Sequence, residues 1–391
     1  MSLMKKFDCV VIGGGMVGAA SALSLAQLGL TVAVVERSEP KEFSAEQVFD
    51  LRVSAISLAS QYLLTQLDAW HQISAWRTCP YRRLGVWELE DIYTEFSAQE
   101  IDQPHLGHIV ENRLIQLSLW QQIHQHNNIE LLCPESLISF AQQETHVVIE
   151  LSKQTISAKL LVGADGGNSQ VRQLANIGTT GWDYQQAAML INVATDLPQQ
   201  DITWQQFTPT GPLAMLPMPD NHASLVWYHQ KDEISRLSAL TNNQLQQQLL
   251  KTFPPRLGEV KVIDKASFPL TRRHANQYQK QRVLLLGDAA HSINPLAGQG
   301  VNLGFKDVKA LQTVIAQAIG EGKCWHDVKT LADYEKARRT DNLMMMSAMD
   351  ALYAGFSHAS PLAKLVRNSG LFFANKVPLL KNKALAYACG I

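Results

Sequence analysis

Phe7-Asp8-Cys9-Val10-Val11-Ile12-Gly13-Gly14-Gly15-Met16-Val17-Gly18 is the stretch on which the fold turns. Phe7 to Ile12 is a short apolar run rich in Val and Ile, and it predicts a buried strand. Three glycines break it. From Met16 to Leu28, residues Val17, Ala20, Leu23, Ala26 and Gln27 recur at helical spacing, and Gly29 is a natural stop. Thr31 to Glu36 is a second apolar run. Strand, helix and strand in so short a stretch predict parallel pairing with a right-handed crossover. Gly13, Gly15 and Gly18 satisfy G-x-G-x-x-G. The first glycine makes the tight turn, the second lets a pyrophosphate approach the backbone, and the third lets helix and strand pack closely. The helix start, through Gly14, Met16 and Val17, presents free N–H groups and the positive dipole end to phosphates. Glu36 ends the second strand, where its carboxylate can take both ribose hydroxyls of an adenosine. A glycine turn without a ligand is the bland alternative. The flanking strands and the acid in place outweigh it.

Two further strand–turn units lie downstream. Lys159 to Val162 leads into Gly163-Ala164-Asp165-Gly166, and Arg282 to Leu286 leads into Gly287-Asp288-Ala289-Ala290-His291. Asp288 is placed to hold a sugar-alcohol hydroxyl. Gly298-Gln299-Gly300, followed by Val301 and Asn302, opens a long helical pattern reaching about Ile319. Its free N–H groups would face an anion, and a reduced flavin carries one at its N1–O2 edge. This favours FAD over NAD; a helix cap plus a turn is the competing reading. Between the units, residues near 80–110 and 185–275 are rich in Trp, Tyr, Thr and Gln with period-two stretches. Trp204–Pro217 and Ala223–Tyr228 flank the turn signal Pro219-Asp220-Asn221.

The expected fold is therefore α/β. It has a GxGxxG-type FAD-binding Rossmann-like domain (1–74, 105–180 and 276–342) and an inserted, mostly antiparallel β-sheet substrate domain (75–104 and 181–275). A helical C-terminal segment (343–391) follows. From Ala351 to Ile391 there is no Asp or Glu, while Lys364, Arg367, Lys376, Lys381 and Lys383 are interspersed with Leu and Phe.

The 391 residues carry 34 Lys plus Arg against 35 Asp plus Glu, so no basic excess points to nucleic acid. Cys9, Cys79, Cys133, Cys324 and Cys389 are scattered, with no zinc or CxxC spacing, which suits reduced thiols in a cytoplasm. No stretch reaches the roughly 18 uninterrupted apolar residues of a membrane span. Asp8 interrupts the one N-terminal run that could imitate an export signal.

Taken together, these motifs resemble the FAD-dependent aromatic hydroxylases of the para-hydroxybenzoate hydroxylase type. Three motifs of that family stand in order: Gly13–Gly18 with Glu36; Gly163-Ala164-Asp165-Gly166 with Ser169, Val171 and Arg172; and Gly287-Asp288 through His291, Pro295, Gly298, Gln299, Gly300, Asn302, Gly304 and Asp307. Gly298–Gly304 resembles the ubiquinone-biosynthesis branch. The strings Pro80–Leu84, Thr203–Pro209 and Ser224–Tyr228 are similar to the branch member that acts on a methylated, methoxylated octaprenyl benzoquinol.

The resemblance implies FAD as cofactor, NAD(P)H as transient co-substrate, and O2 activated as a C4a-hydroperoxyflavin that hydroxylates the quinol ring. In site residues it implies that Asp165 serves FAD and the pyridine nucleotide, that Arg37 neighbours the adenosine phosphates, and that Arg52 and Arg113 reach the cofactor. Surface salt bridges are the alternative for all three arginines. It further implies that Pro295 and Gly298–Asn302 wall the pocket beside the flavin, with His291 structural. Trp204, Phe207, Trp227 and Tyr228 read equally as a prenyl pocket or as core. The basic tail suggests contact with a membrane surface or with other ubiquinone-biosynthesis proteins, hence a cytoplasmic enzyme peripheral to the inner membrane; a packed terminal helix pair with a solvated basic face is the alternative, and the stronger one. A sister hydroxylase acting at another ring position or on a soluble phenol is the competing enzyme. A flavin-binding assembly factor is the non-enzyme reading, and the missing W-x-W-x-I-P motif argues against a halogenase.

Overall fold

Lys5–Ile12 forms the strand at the middle of a parallel sheet in the computed structural model, which describes residues 4–89, 91–294, 298–356 and 377–391. It pairs in parallel with Val32–Val35 on one side and with Thr155–Gly163 on the other. Ile129–Leu132 extends the sheet past the former, and Val283–Leu285 past the latter. Cys9, Val10, Val11 and Val32–Val34 are wholly buried because the sheet is covered on both faces, which is why these strands read as unbroken apolar runs. Helix Met16–Ala26 packs against helices Asn112–Ile123 and Gly300–Gly320. An antiparallel pair, Leu137–Gln142 and Val147–Leu151, joins the sheet through Thr155–Gly163.

A second, eight-stranded sheet runs in the order His291–Ser292, Val260–Ala275, Thr179–Thr195, His222–Gln230, Leu213–Met218, Ile202–Gln206, Arg83–Trp87, Thr94–Ser97. All its pairings are antiparallel except Ile202–Gln206 with Arg83–Trp87. Asp220 and Asn221 both take positive φ (57°) and join Leu213–Met218 to His222–Gln230, as a tight two-residue hairpin requires. Alternation along the strands assigns the two faces. Met189, Ile191, Val193, Trp204, Leu225 and Trp227 pack with Leu245, Leu249 and Phe253 of the helical layer behind the sheet. Trp204 and Trp227 meet the Phe253 ring at 6.4 and 5.6 Å, so these two are core and do not face the dinucleotide half. Tyr228 has the opposite parity and packs with Tyr184, Ala188 and Leu270.

Cys79–Tyr81 departs from the expected layout. It lies within the stretch assigned to the substrate sheet, yet it pairs with Gly107–Glu111 in a separate three-stranded sheet with Val53–Ser57. The chain changes sheets at Arg82 and Arg83, whose N–H groups both reach the Asp201 carbonyl (2.7 and 3.2 Å). The expected boundary at residue 343 is also absent. Val328–Phe356 is one helix through that point, since no Gly or Pro interrupts it before Gly355. Helix Pro378–Cys389 is a strap. Lys381 pairs with Glu100 (2.7 Å), Tyr387 donates to Asp341 (3.0 Å), and Leu385 and Cys389 bury against Leu58, Ala98 and Leu106. Lys364, Arg367 and Lys376 of the expected basic tail lie outside the described residues. Among the described residues no helix is long and apolar enough to cross a membrane, and no cluster of His, Cys, Asp or Glu could hold a metal.

Candidate flavin site and active site

The glycine turn is built by contact. Gly13 has φ +102°, and a Cβ there would stand 2.5 Å from the Ala164 carbonyl oxygen. A Cβ at Gly18 would stand 1.8 Å from Gly13 O, so the helix start rests directly on the turn. Above Gly15 nothing lies within 4 Å, and Gly15 caps the helix without any side-chain hydrogen bond. The first-turn N–H groups of Met16, Val17 and Gly18 therefore have neither an intrahelical nor a capping partner. Glu36 closes the loop from the next strand. Its Oε2 accepts from Gly14 N–H and its Oε1 from Arg37 N–H, both at 2.7 Å. Lone pairs remain on the carboxylate for a further donor. Arg37 is exposed and borders a cleft of about 430 Å³ with Pro134, Ser136, Leu137 and Gln170.

The second motif is engaged differently from expectation. Asp165 accepts from Ser169 Oγ (2.5 Å) and from the N–H groups of Gln170 (2.7 Å) and Val171 (3.1 Å). Its carboxylate caps helix Gln170–Leu174, and the backbone of the turn is what meets Gly13. Arg172 ties this motif to the next by donating to Ala289 O and Gly167 O, both at 2.8 Å.

The third motif carries the acid that faces outward. Asp288 sits on the short turn Gly287–Ala289, with its surface open to solvent although protein packs round it. Burial pushes its carboxyl above the usual range, and His291 and Arg52 pull it back in part. Arg52 is exposed, acts on Asp288 through charge, and has no side-chain partner among the described residues. Behind the turn, Asp307 is wholly buried. Its Oδ2 accepts from Gly287 N–H (3.0 Å) and from His291 Nε2 (2.5 Å). Its Oδ1 accepts from Arg338 Nε (2.8 Å) and Asn342 Nδ2 (3.1 Å). Burial raises the Asp307 carboxyl, but His291 and Arg338 more than reverse that and hold it below the usual range. Both ends of the turn bearing Asp288 are thus clamped from inside, and His291 is part of the clamp.

Gly300 opens the 21-residue helix Gly300–Gly320, again without a side-chain cap, and the nearest atom to a Cβ there is 3.8 Å away. Asn302 is a bracket. It accepts from Ser57 N–H (3.0 Å) and Ser60 Oγ (2.7 Å) and donates to Ala55 O (2.8 Å) and Gly298 O (3.2 Å). Val301 packs against the core. Pro295 lies outside the described residues. Arg113 pairs with Asp50 (2.8 Å) and donates to the carbonyls of Lys41 (2.7 Å) and Glu42 (3.0 Å), so it fixes the 41–50 segment.

The chain is matched by the family model described as "FAD binding domain" over residues 6–346. It belongs to the FAD_binding_3 family. It is 47% identical over 385 residues to the 3-demethoxyubiquinol 3-hydroxylase of Escherichia coli strain K12, covering 98% of each chain. It is 34% identical over 389 residues to the ubiquinone hydroxylase UbiL of Rhodospirillum rubrum, covering 99% of this chain and 90% of that one. The ubiquinone biosynthesis monooxygenase COQ6 of Danio rerio is 33% identical over 433 residues, covering 98% and 89%. In fold it is similar to the crystal structure of p-nitrophenol 4-monooxygenase PnpA from Pseudomonas putida, with TM-score 0.81 at 19% identity and 98% and 97% coverage.

This FAD-binding family member has residues that suit FAD. Two uncapped helix N-termini, at Gly15 and Gly300, offer N–H groups to a pyrophosphate and to a flavin edge. Asp288 and Glu36 offer acceptors to hydroxyls, and the space above Gly15 is clear of protein.

Three buried polar side chains, Asn192, Ser224 and Asn294, carried no local signal. Asn192 donates through Nδ2 to the carbonyls of Phe49 and Asp50, both at 3.1 Å. Its Oδ1 has no hydrogen-bond partner among the described residues, nor has Oγ of Ser224, its neighbour in register across the sheet. Neither side-chain polar atom of Asn294 has one. On an alternating strand an amide reads as a surface residue, so only the fold shows Asn192 to be buried.

Proposed function

We propose that this protein is an FAD-dependent monooxygenase that uses NAD(P)H and O2 to hydroxylate the benzoquinol ring of a polyprenylated ubiquinone precursor of the demethoxyubiquinol type. The observation that carries the reading is the 47% identity, over 98% of both chains, to a 3-demethoxyubiquinol 3-hydroxylase. Bound FAD supplies the transfer of one oxygen atom from O2 to an electron-rich ring. The chain's own residues bind, orient and exclude water. The Gly15 helix start takes the pyrophosphate, Glu36 the adenosine ribose, Asp288 a ribityl hydroxyl, and the Gly298–Gly300 N–H groups the anionic edge of the flavin. Asp307, His291 and Arg338 keep the Asp288 turn in place. The quinol ring binds between the Gly298 loop and the sheet face bearing Asn192 and Ser224, where burial keeps water from the reacting centre. No strong protein nucleophile is required, because a quinol oxygen supplies the electron density. The apolar tail of such a substrate places the enzyme at a membrane surface, as a peripheral protein on the cytoplasmic side.

The test is a quinone profile by mass spectrometry from cells lacking the protein, with reconstitution by purified holoenzyme and a short-tailed demethoxyquinol. Accumulation of the methylated demethoxy intermediate, together with substrate-dependent NADPH oxidation, supports the reading. Accumulation of an earlier prenylphenol makes the protein a sister hydroxylase. Flavin binding without turnover leaves an assembly factor.

A further inference from the structure

Asn192 and Ser224 face each other across two central strands of the eight-stranded sheet, Thr179–Thr195 and His222–Gln230. Asn192 is 2% exposed and Ser224 is wholly buried. Side chains directly opposite on an antiparallel pair stand about 5 Å apart at Cβ. Asn192 Oδ1 and Ser224 Oγ nevertheless bond neither to each other nor to any other described residue. A buried polar atom without a partner is costly, and an apolar pair would avoid the cost. Ala188 and Tyr228, two rungs away on the same face, are such a pair.

The amide has a fixed orientation. Nδ2 donates to the carbonyls of Phe49 and Asp50, both at 3.1 Å. Exchanging the two ends would set an oxygen against two carbonyl oxygens, so Oδ1 is the free end and can only accept. Ser224 is less constrained, because its hydroxyl rotates and can donate as well as accept. The same two bonds turn Asn192 towards the dinucleotide half. On that face, one rung along, Leu190 and Val226 are partly exposed although they lie in the middle of the sheet. Leu216, the register neighbour of Ser224 on the next strand, is partly exposed as well. From the dinucleotide half, Val53 and Ala55 are partly exposed, and with Leu216 they border the apolar cluster round Met218 and Ile109. A Cβ at Gly298 would stand 3.4 Å from the Ala55 Cβ, which brings the Gly298 turn to the same place. Apolar side chains that keep some exposure thus adjoin two polar atoms that keep none.

We propose that Asn192 and Ser224 together take one hydroxyl of the quinol ring, and that Asn192 selects the reduced ring over the oxidised one. The inference rests on the quinol reading above and deepens it. A ring hydroxyl donates to Asn192 Oδ1 while its oxygen accepts from the Ser224 hydroxyl, so one group satisfies both. A quinone carbonyl can only accept. It can take the Ser224 hydroxyl, but it sets its lone pairs against Oδ1, which stays buried and unpaired. A site built to bond a hydroxyl rejects an analogue without one far more strongly than an apolar pocket rejects a small change of shape. The selection suits the reaction. The reduced ring has the hydroxyl oxygens that feed electron density to the attacked carbon, and a bound quinone would occupy the site without reacting.

The experiment is an anaerobic titration of the full-length FAD-loaded protein with a short-tailed demethoxyquinol and with the corresponding quinone, read from the flavin absorbance. Wild type, Ser224→Ala and Asn192→Leu are compared, with FAD content and unfolding midpoint as controls. Wild type is expected to bind the quinol about 10- to 100-fold more tightly than the quinone. Ser224→Ala should weaken both ligands by about tenfold and keep their ratio, because Ser224 donates to either oxygen. Asn192→Leu should bring the ratio to within about threefold of one. An Asn192 that only aligns the two halves would weaken both ligands alike and leave the ratio unchanged. If Asn192→Leu does not fold, Asn192→Ser, which shortens the side chain and withdraws the acceptor, is read in the same way. A wild-type ratio near one overturns the proposal, and so does an unchanged ratio in the Asn192 variant. Selective binding of the quinol without its hydroxylation refutes the functional reading and leaves the assignment of Asn192 standing. Wild type that binds neither ligand refutes the quinol reading; phenol and its methyl ether are then titrated, and equal affinity for the two overturns the hydroxyl assignment as well.

Discussion

Asp288 shows what a motif does and does not reveal at the scale of one residue. Its place after a strand suggested an outward-facing acid, and the residue is open to solvent, within reach of the Arg52 charge. Asp165 sits in a matching strand–turn unit, yet its carboxylate folds back to cap a helix. The two were indistinguishable in sequence, because what separates them is the direction of the side chain. Asp288→Ala should therefore fold but hold FAD about 10- to 100-fold more weakly, the equivalent of one charged hydrogen bond. FAD retained per protein after gel filtration measures this, and a fully yellow variant would refute the assignment.

Asp307 acts on stability instead. Its folded carboxyl lies below the usual range, so its contribution is complete above the unfolded value of about 3.9 and is lost as pH falls through the lowered one. Asp307→Asn leaves Arg338 buried beside a neutral amide and should cost about 3–5 kcal/mol at pH 7. Urea unfolding at pH 7 and below pH 4 should show that gap narrowing on the acid side.

His108 runs through a different window. Burial, with His105 next to it, takes it down to about 4. The unfolded imidazole takes up a proton near pH 6.5 while the folded one does not, so stability falls as pH drops from 6.5 towards 4. His108→Phe should flatten that part of the curve.

At the scale of elements, the parts most legible in sequence were those in which local chemistry and tertiary role agree. The buried strands read as apolar runs, the glycine turn as steric necessity, and Asp220-Asn221 as a hairpin. Two elements were illegible for a shared reason: each is defined by a distant partner. Cys79–Tyr81 belongs with Val53–Ser57 and Gly107–Glu111, and no local pattern names that sheet. Helix Pro378–Cys389 read as part of a basic, apolar helical segment, with nothing local to say that Lys381 finds Glu100 across most of the chain. The strap's hold can be measured. Leu385 is buried with Leu58, Ala98 and Leu106, so Leu385→Ala should cost about 2–4 kcal/mol through the cavity it leaves. Lys381→Ala should cost about 1 kcal/mol or less. Unfolding midpoints of the two variants would order them. A larger loss in Lys381→Ala would mean that the ion pair, not the apolar contact, fastens the strap.

In the whole molecule the proposed site is a junction, to which the dinucleotide half brings Gly15, Asp288 and Gly300 and the sheet a face, and polar contacts cross between the halves. Asn192 is one of these, with Nδ2 shared between the Phe49 and Asp50 carbonyls just ahead of Arg52. A sequence reading sorts residues into a strand but does not say which of its two faces meets another domain, so this contact had no local signal. Its consequence should appear in coupling more than in cofactor affinity. Asn192→Leu keeps the volume, removes both donors and frees the segment that carries Arg52. FAD content should stay near wild type, because none of the groups assigned to the pyrophosphate or the ribityl chain is altered. Water should then enter the space between sheet and loop, and the reduced, oxygen-reacted enzyme should release more peroxide for each NADPH oxidised. Simultaneous measurement of NADPH, peroxide and hydroxylated quinol decides. A variant that makes as much product per NADPH as wild type would show that the two halves hold their alignment without Asn192.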